Sequence, residues 1–215
     1  FVIFAMTDRS KGTKGISAFI IEKGMPGFKI GKVEDKMGIR GSSTTELIFE
    51  DVKVPVENLL GKEGKGFKVA MMTLDGGRIG IAAQALGLAE GALEYAIDYM
   101  KERKQFGKPL AAFQGLQWYI AEMKVQVDAA KYIVYKAAWK KQEGLPYSVD
   151  AAEAKLIAAE TAMAVTTKSL QILGGYGFTK DYPLERMMRD AKITEIYEGT
   201  SEVQKMVIAG SLLKK

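Results

Sequence analysis

The chain has 215 residues, of which 47% are hydrophobic and 27% charged, the proportions of a globular protein that buries a sizeable core. Its formal charge of +5, from 31 basic and 26 acidic residues, is spread along the chain, without the clustered bases and interleaved aromatics of a nucleic-acid platform. It contains no cysteine and no histidine, which excludes disulfides, thiol nucleophiles, imidazole metal ligands and the Glu-x-x-His pairs of di-iron bundles.

Acid–base chemistry is therefore confined to Glu, Asp, Lys and Tyr, and no metal site is expected. No apolar run approaches the roughly 18 residues that read as a membrane span. The chain starts at Phe1 inside an apolar run and without a methionine, so it reads as part of a longer protein. Residues 1–55 carry short β-branched and aromatic runs, "FVIFAM", "ISAFII" and "TELIFEDVKV", punctuated by Gly, Asp, Ser and Pro. They predict three or four strands of a sheet that is incomplete on its N-terminal side.

From Gly61 the apolar period changes from two to that of a helix. A very long first helix is predicted up to Gly107 and Pro109, a second over Phe113–Gln142 and a third over Val149–Leu173. A short helix follows Pro183, and the last begins near Ser201. Three helices longer than about 25 residues with short loops predict an antiparallel bundle. The fold class is thus α+β, with a partial β domain over 1–60 and an all-α domain over 61–215. The glycines in "LDGGRIG" each cost a helix about 1 kcal/mol against alanine, which points to close approach by a ligand or another chain.

The segment "AKITEIYEGTSEVQ", residues 191–204, holds a carboxylate between an aromatic and a glycine. One reading is local. Ser201 and Gln204 have the spacing of a capping box, and an acid before a helix complements its positive end. The other makes Glu198 a base held at a turn, with Gly199 beside it so that a substrate can approach the backbone. The two are compatible.

Several stretches resemble one family. "SSTTELIFEDVKVP", "GKGFKVAMMTLDGGRIGIAAQALG", "ERKQFGKPL", "QILGGYGF" and "MRDAKITEIYEGTSEVQ" look like acyl-CoA dehydrogenases, and most like the short-chain, butyryl-type subgroup. The resemblance covers essentially the whole chain. It implies the C-terminal half of a β-barrel-like middle domain followed by an antiparallel four-helix bundle. The family's N-terminal helical domain and first β strands have no counterpart here.

The resemblance implies an FAD-dependent oxidation of acyl-CoA to the trans-2-enoyl thioester, with Glu198 as the base for the α proton. It places Asp75, Gly76, Gly77 and Arg78 against the acyl-CoA, with Gly199 beside the thioester. It assigns Arg103 to the flavin pyrophosphate, and Gln114, Gln171, Ile172, Leu173, Gly174, Gly175, Thr200, Ser201 and Glu202 to further flavin contacts. Each has a local alternative: an Asp75–Arg78 surface pair, a helix-end cation at Arg103, a plain glycine C-cap at Gly174. Gln84 matches a glutamine beside the acyl pocket, with a solvent-facing position as its alternative. The family further implies a homotetramer assembled as a dimer of dimers, an electron-transferring flavoprotein as acceptor, and a bacterial cytoplasmic or mitochondrial matrix location. Two rival functions remain. The chain serves only in assembly without turnover, or it belongs to an acyl-CoA oxidase of the same fold.

Overall fold

A computed structural model describes residues 1–214. The chain forms two compact units, Phe1–Lys36 with Arg40–Leu74, and Met37–Ile39 with Asp75–Lys215.

The first unit is built on two antiparallel ribbons. β1 (Val2–Met6) pairs with β2 (Ile16–Ile20), and β3 (Phe28–Val33) pairs with β4 (Thr45–Phe49). Phe28 lies opposite Phe49 and their rings stack 5.0 Å apart, with Phe1 edge-on to Phe28 at 5.0 Å. Such cross-strand aromatic pairs are what hold a short ribbon in register. The strand predicted over "TELIFEDVKV" stops at Phe49, because Asp51 takes a left-handed φ of +51°. β3 is the strand that the apolar pattern leaves least marked, since Lys29 and Lys32 interrupt it. Among the described residues the ribbons remain separate two-stranded sheets and close no barrel.

The boundary between the units falls inside α1 (Gly66–Glu102). The helix predicted from Gly61 begins five residues later because Gly61 and Gly64 hold φ of +81° and +72°, outside the helical region. It also ends early, at Glu102. The next residues form a small hairpin, β5 (Lys104–Gln105) with β6 (Lys108–Pro109). Its two-residue turn, Phe106 and Gly107, has positive φ at both positions, the backbone that matches strand twist.

α2 (Gln114–Gln142) and α3 (Ser148–Leu173) follow close to their predicted limits, then α4 (Leu184–Lys192) and α5 (Ser201–Leu212). Ala82, Ala85, Ala89, Ala92 and Ala96 form a fully buried stripe on α1. Met123, Val127, Ala130, Val134 and Ala137 do the same on α2, and both stripes share one core with α3. The three- and four-residue steps are those of a helix face turned inward. α3 is central, packing on α2, α4 and α5. At its start, burial alone would raise the Asp150 carboxyl, but ammonium groups of Lys136 and Lys140 at 2.9 and 2.6 Å hold it below its usual range.

The capping prediction is corrected by one residue. The N-cap of α5 is Thr200, whose hydroxyl accepts from the Val203 N–H. Gln204 turns its amide the other way, onto the carbonyls of Glu198 and Gly199.

Candidate active site

Between α4 and α5 the chain makes a single 3₁₀ turn at Ile193–Glu195 and then a half-buried bend through Tyr197, Glu198 and Gly199. Glu198 has φ +56° and Gly199 +93°. A glutamate in the left-handed region costs on the order of 1 kcal/mol and persists only where its surroundings enforce it.

Three helices enforce it here. From α1, Gln84 Oε1 accepts from the Tyr197 hydroxyl at 2.6 Å. From α3, Lys155 Nζ donates to the Gly199 carbonyl at 2.8 Å. From α5, Gln204 Nε2 donates to the same carbonyl at 2.8 Å and to that of Glu198 at 3.2 Å. Three consecutive residues are thus each tied to a rigid element. Gln84 is a partner of the turn rather than a solvent-facing position, and burial pushes the Tyr197 hydroxyl pKa up.

The Glu198 carboxyl lies against α1 at Gly77. A Cβ at Gly77 would stand 2.5 Å from Oε2 and 2.8 Å from Cδ, so the carboxyl would have to move to make room for it. Oε2 is buried and has no hydrogen-bond partner. Beside it, Arg78 is 7% exposed and donates to Asp75 Oδ1 at 2.8 Å, while its Nε is unpartnered. The Asp75–Arg78 pair is therefore real but largely buried, not a solvated surface pair. A Cβ at Gly76 would reach 3.0 Å from Lys141 Nζ. Ser201 Oγ and Gln204 Oε1 are also buried without partners. Native proteins leave few such atoms unpaired, and their concentration around one turn is the mark of a site that receives polar groups of a ligand.

A second location holds Arg103 and the end of α3. A cavity of about 460 Å³ is lined by Tyr99, Arg103, Leu110, the Ile172–Gly175 run, and Tyr176, within the range of ligand clefts. The Arg103 guanidinium lies 5.0 Å above the Tyr176 ring, which fixes its plane. Gly174 is the C-cap of α3, with φ +59°. Neither it nor Gly175 has any atom within 4 Å of the place of a Cβ, so their backbone faces open space. The glycine that packing demands is Gly177, whose Cβ would strike the Leu170 carbonyl.

Gln171 and Gln114 are exposed, and neither lines this cavity. Thr200, Ser201 and Glu202 line a separate, smaller hollow of about 230 Å³ with Lys192 and Lys205. Of the residues expected at the flavin, Arg103 and Ile172–Gly175 line the first cavity and Thr200, Ser201 and Glu202 the second, while Gln114 and Gln171 line neither. A planar cation, Arg103, beside a wall of aromatic and small residues fits the pyrophosphate end of a dinucleotide. Lys155 is the functional candidate that sequence reasoning misses, and its only signal is a lysine on the buried face of an alanine-rich helix.

The family is settled by comparison. Residues 64–213 match the acyl-CoA dehydrogenase C-terminal domain and residues 1–52 the acyl-CoA dehydrogenase middle domain, so the chain belongs to the acyl-CoA dehydrogenase family. It is 73% identical over 214 residues to the short-chain specific acyl-CoA dehydrogenase of Clostridium acetobutylicum, covering 100% of this chain and 56% of that one. It superposes on butyryl-CoA dehydrogenase from Megasphaera elsdenii with a TM-score of 0.98 and 64% identity, over 99% of this chain and 56% of that one. A chain in the structure of the electron-transferring flavoprotein of Acidaminococcus fermentans gives a TM-score of 0.98 at 63% identity, over 100% and 56%. The chain spans about half the length of the curated relatives it matches. Among the described residues no helix is long and apolar enough to cross a membrane.

Proposed function

We propose that the chain carries the base and much of the substrate site of an FAD-dependent short-chain acyl-CoA dehydrogenase. The observation that carries this reading is the Glu198 carboxyl, whose Oε2 is buried and unpartnered, carried on a strained turn that side chains from three helices hold. A carboxylate carried this way has an oxygen free to accept a proton and a backbone held in one place.

The α C–H of an acyl thioester is weakly acidic, and desaturation removes that proton together with a hydride from the β carbon. When bound, the flavin supplies the hydride acceptor. Glu198 takes the proton at Cα, and its own N–H polarises the thioester carbonyl so that charge developing there is stabilised. Gly199, without a Cβ, lets the thioester lie against the backbone. Arg78, with Nε unpartnered and Asp75 steadying Nη1, offers a fixed cation to the acyl-CoA, and Gly76 and Gly77, without side chains, leave room for Lys141 Nζ and the Glu198 carboxyl. Arg103, Gln114, Gln171–Gly175 and Thr200–Glu202 would hold the FAD. Their division between two places on one chain fits sites completed by a neighbouring subunit, and so a homo-oligomer. The Gln84–Tyr197 bond, which walls the site beside Glu198, fits a pocket for acyl chains of about four carbons. An electron-transferring flavoprotein is the acceptor this reading implies.

The test is spectral. A full-length protein that contains these 215 residues and is loaded with flavin is yellow and is bleached by butyryl-CoA without oxygen, whereas its Glu198→Gln variant binds the thioester and stays yellow. Bleaching of Glu198→Gln at the parent rate would require another base. Rapid recolouring in air would instead identify the oxidase, and a colourless preparation the assembly-only role.

A further inference from the structure

Lys155 sits in the middle of α3 with no exposed surface, among the largest fully buried side chains of the protein. Burying an ammonium is expensive unless a carboxylate pairs with it. Among the described residues Lys155 has no ion pair, and its hydrogen bond goes to the Gly199 carbonyl at 2.8 Å. That carbonyl already accepts from Gln204 at 2.8 Å. The backbone therefore does not need Lys155, and an apolar side chain of the same length would fill the same space more cheaply.

We propose that Lys155 is a positioning residue for the chemistry at Glu198: its buried side chain clamps the Gly199 carbonyl and thereby fixes the direction of the preceding carboxyl. The proposal rests on the reading of Glu198 as the base. Gly199 and Glu198 both lie in the left-handed region, so a shift of the Gly199 peptide would swing the Glu198 side chain off Gly77. Gln204 alone spans two carbonyls and leaves this rotation less defined than two donors from different helices.

The charge also has consequences. Burial pushes the Lys155 pKa down to about 8; Glu195, Glu202 and Glu198 oppose that shift and Arg78 adds to it. Below about pH 8 the ammonium is charged in the folded and unfolded states alike, and folding bears the full penalty of burying it. As pH rises from about 8 towards the ordinary lysine value of 10.5, the folded protein sheds the proton first and that penalty is relieved.

The experiment compares wild type, Lys155→Met, Lys155→Gln and Glu198→Gln in flavin-loaded full-length protein containing these 215 residues, reading kcat, KM and the thermal unfolding midpoint from pH 6 to 10. Lys155→Met is expected to unfold at or above the wild-type temperature at pH 7, with its advantage shrinking above about pH 8. Its kcat falls roughly 10–100-fold, the scale of a small misplacement of a catalytic group, while KM stays within about threefold. Lys155→Gln, a shorter neutral donor, falls between the two. Above about pH 8 the Lys155 ammonium becomes an amine, which still donates to the Gly199 carbonyl but more weakly, so wild-type kcat declines modestly there and Lys155→Met lacks that limb. A stable Lys155→Met with wild-type kcat, beside an inactive Glu198→Gln, would overturn the proposal alone. So would a Lys155→Met that fails to fold, since the side chain would then serve the core. An active Glu198→Gln would remove the base and the proposal together.

Discussion

Gly77 has no side chain where the carboxyl of Glu198 needs the room. The substitution Gly77→Ala places a Cβ 2.5 Å from Oε2, and the neighbour that must yield is the reacting group itself. We expect Gly77→Ala to lower kcat by about 100-fold while leaving the fold intact, since alanine suits a helix better than glycine. Flavin bleaching under single-turnover conditions and a thermal melt check the two parts. A variant with normal kcat would mean that the carboxyl works from another position. The sequence marks "DGGR" as unusual and marks Glu198 as a carboxylate without a local duty. It does not show that the two meet, because the contact joins the start of the helical domain to its end. Lys155 is hidden for a different reason, since a lysine within a run of alanines has the look of a solvated face.

The helices were the most legible elements, because stripes such as Ala82–Ala96 and Met123–Ala137 repeat at steps of three and four over many turns. Their ends were less so. α1 starts and stops where glycines with positive φ impose turns, and composition alone does not say which glycine takes that backbone. The glycines within α1 also divide by duty. Gly80 and Gly87 have nothing within 4 Å of a Cβ, and neither has a positive φ. Alanine at either position should therefore stabilise the helix by about 0.5–1 kcal/mol, seen as a higher denaturant midpoint with unchanged slope. Destabilisation at Gly80 would show that another surface packs there. The β ribbons were only partly legible: β3 carries two lysines, and the Phe106–Gly107 hairpin is too short for any periodicity.

On the whole molecule, the outer face of α2 is the feature a single chain does not explain. Trp118, Val125, Tyr132 and Trp139 recur every seven residues and are 60%, 69%, 77% and 55% exposed. A stripe with that period suits a second helix lying along it, and self-association is the assembly the family resemblance implies. Tyr132→Glu combined with Trp139→Glu should shift the protein to a smaller species in sedimentation without loss of helicity. An unchanged sedimentation coefficient would place the interface elsewhere. With the residues proposed for the flavin divided among separate places, an isolated chain of these 215 residues should associate yet hold FAD weakly and turn over no substrate. A stoichiometric yellow preparation bleached by acyl-CoA would contradict that expectation.

The central claim is that Glu198 removes the α proton of an acyl-CoA. The most direct measurement is exchange of that proton with deuterated solvent, followed by mass spectrometry of butyryl-CoA incubated with flavin-loaded full-length protein containing these residues, as wild type and as Glu198→Gln. Wild type should incorporate deuterium at Cα, and Glu198→Gln should do so more slowly by at least about 100-fold, the lower bound for a positioned base. Exchange at equal rates in the two proteins would show that the proton leaves by another route.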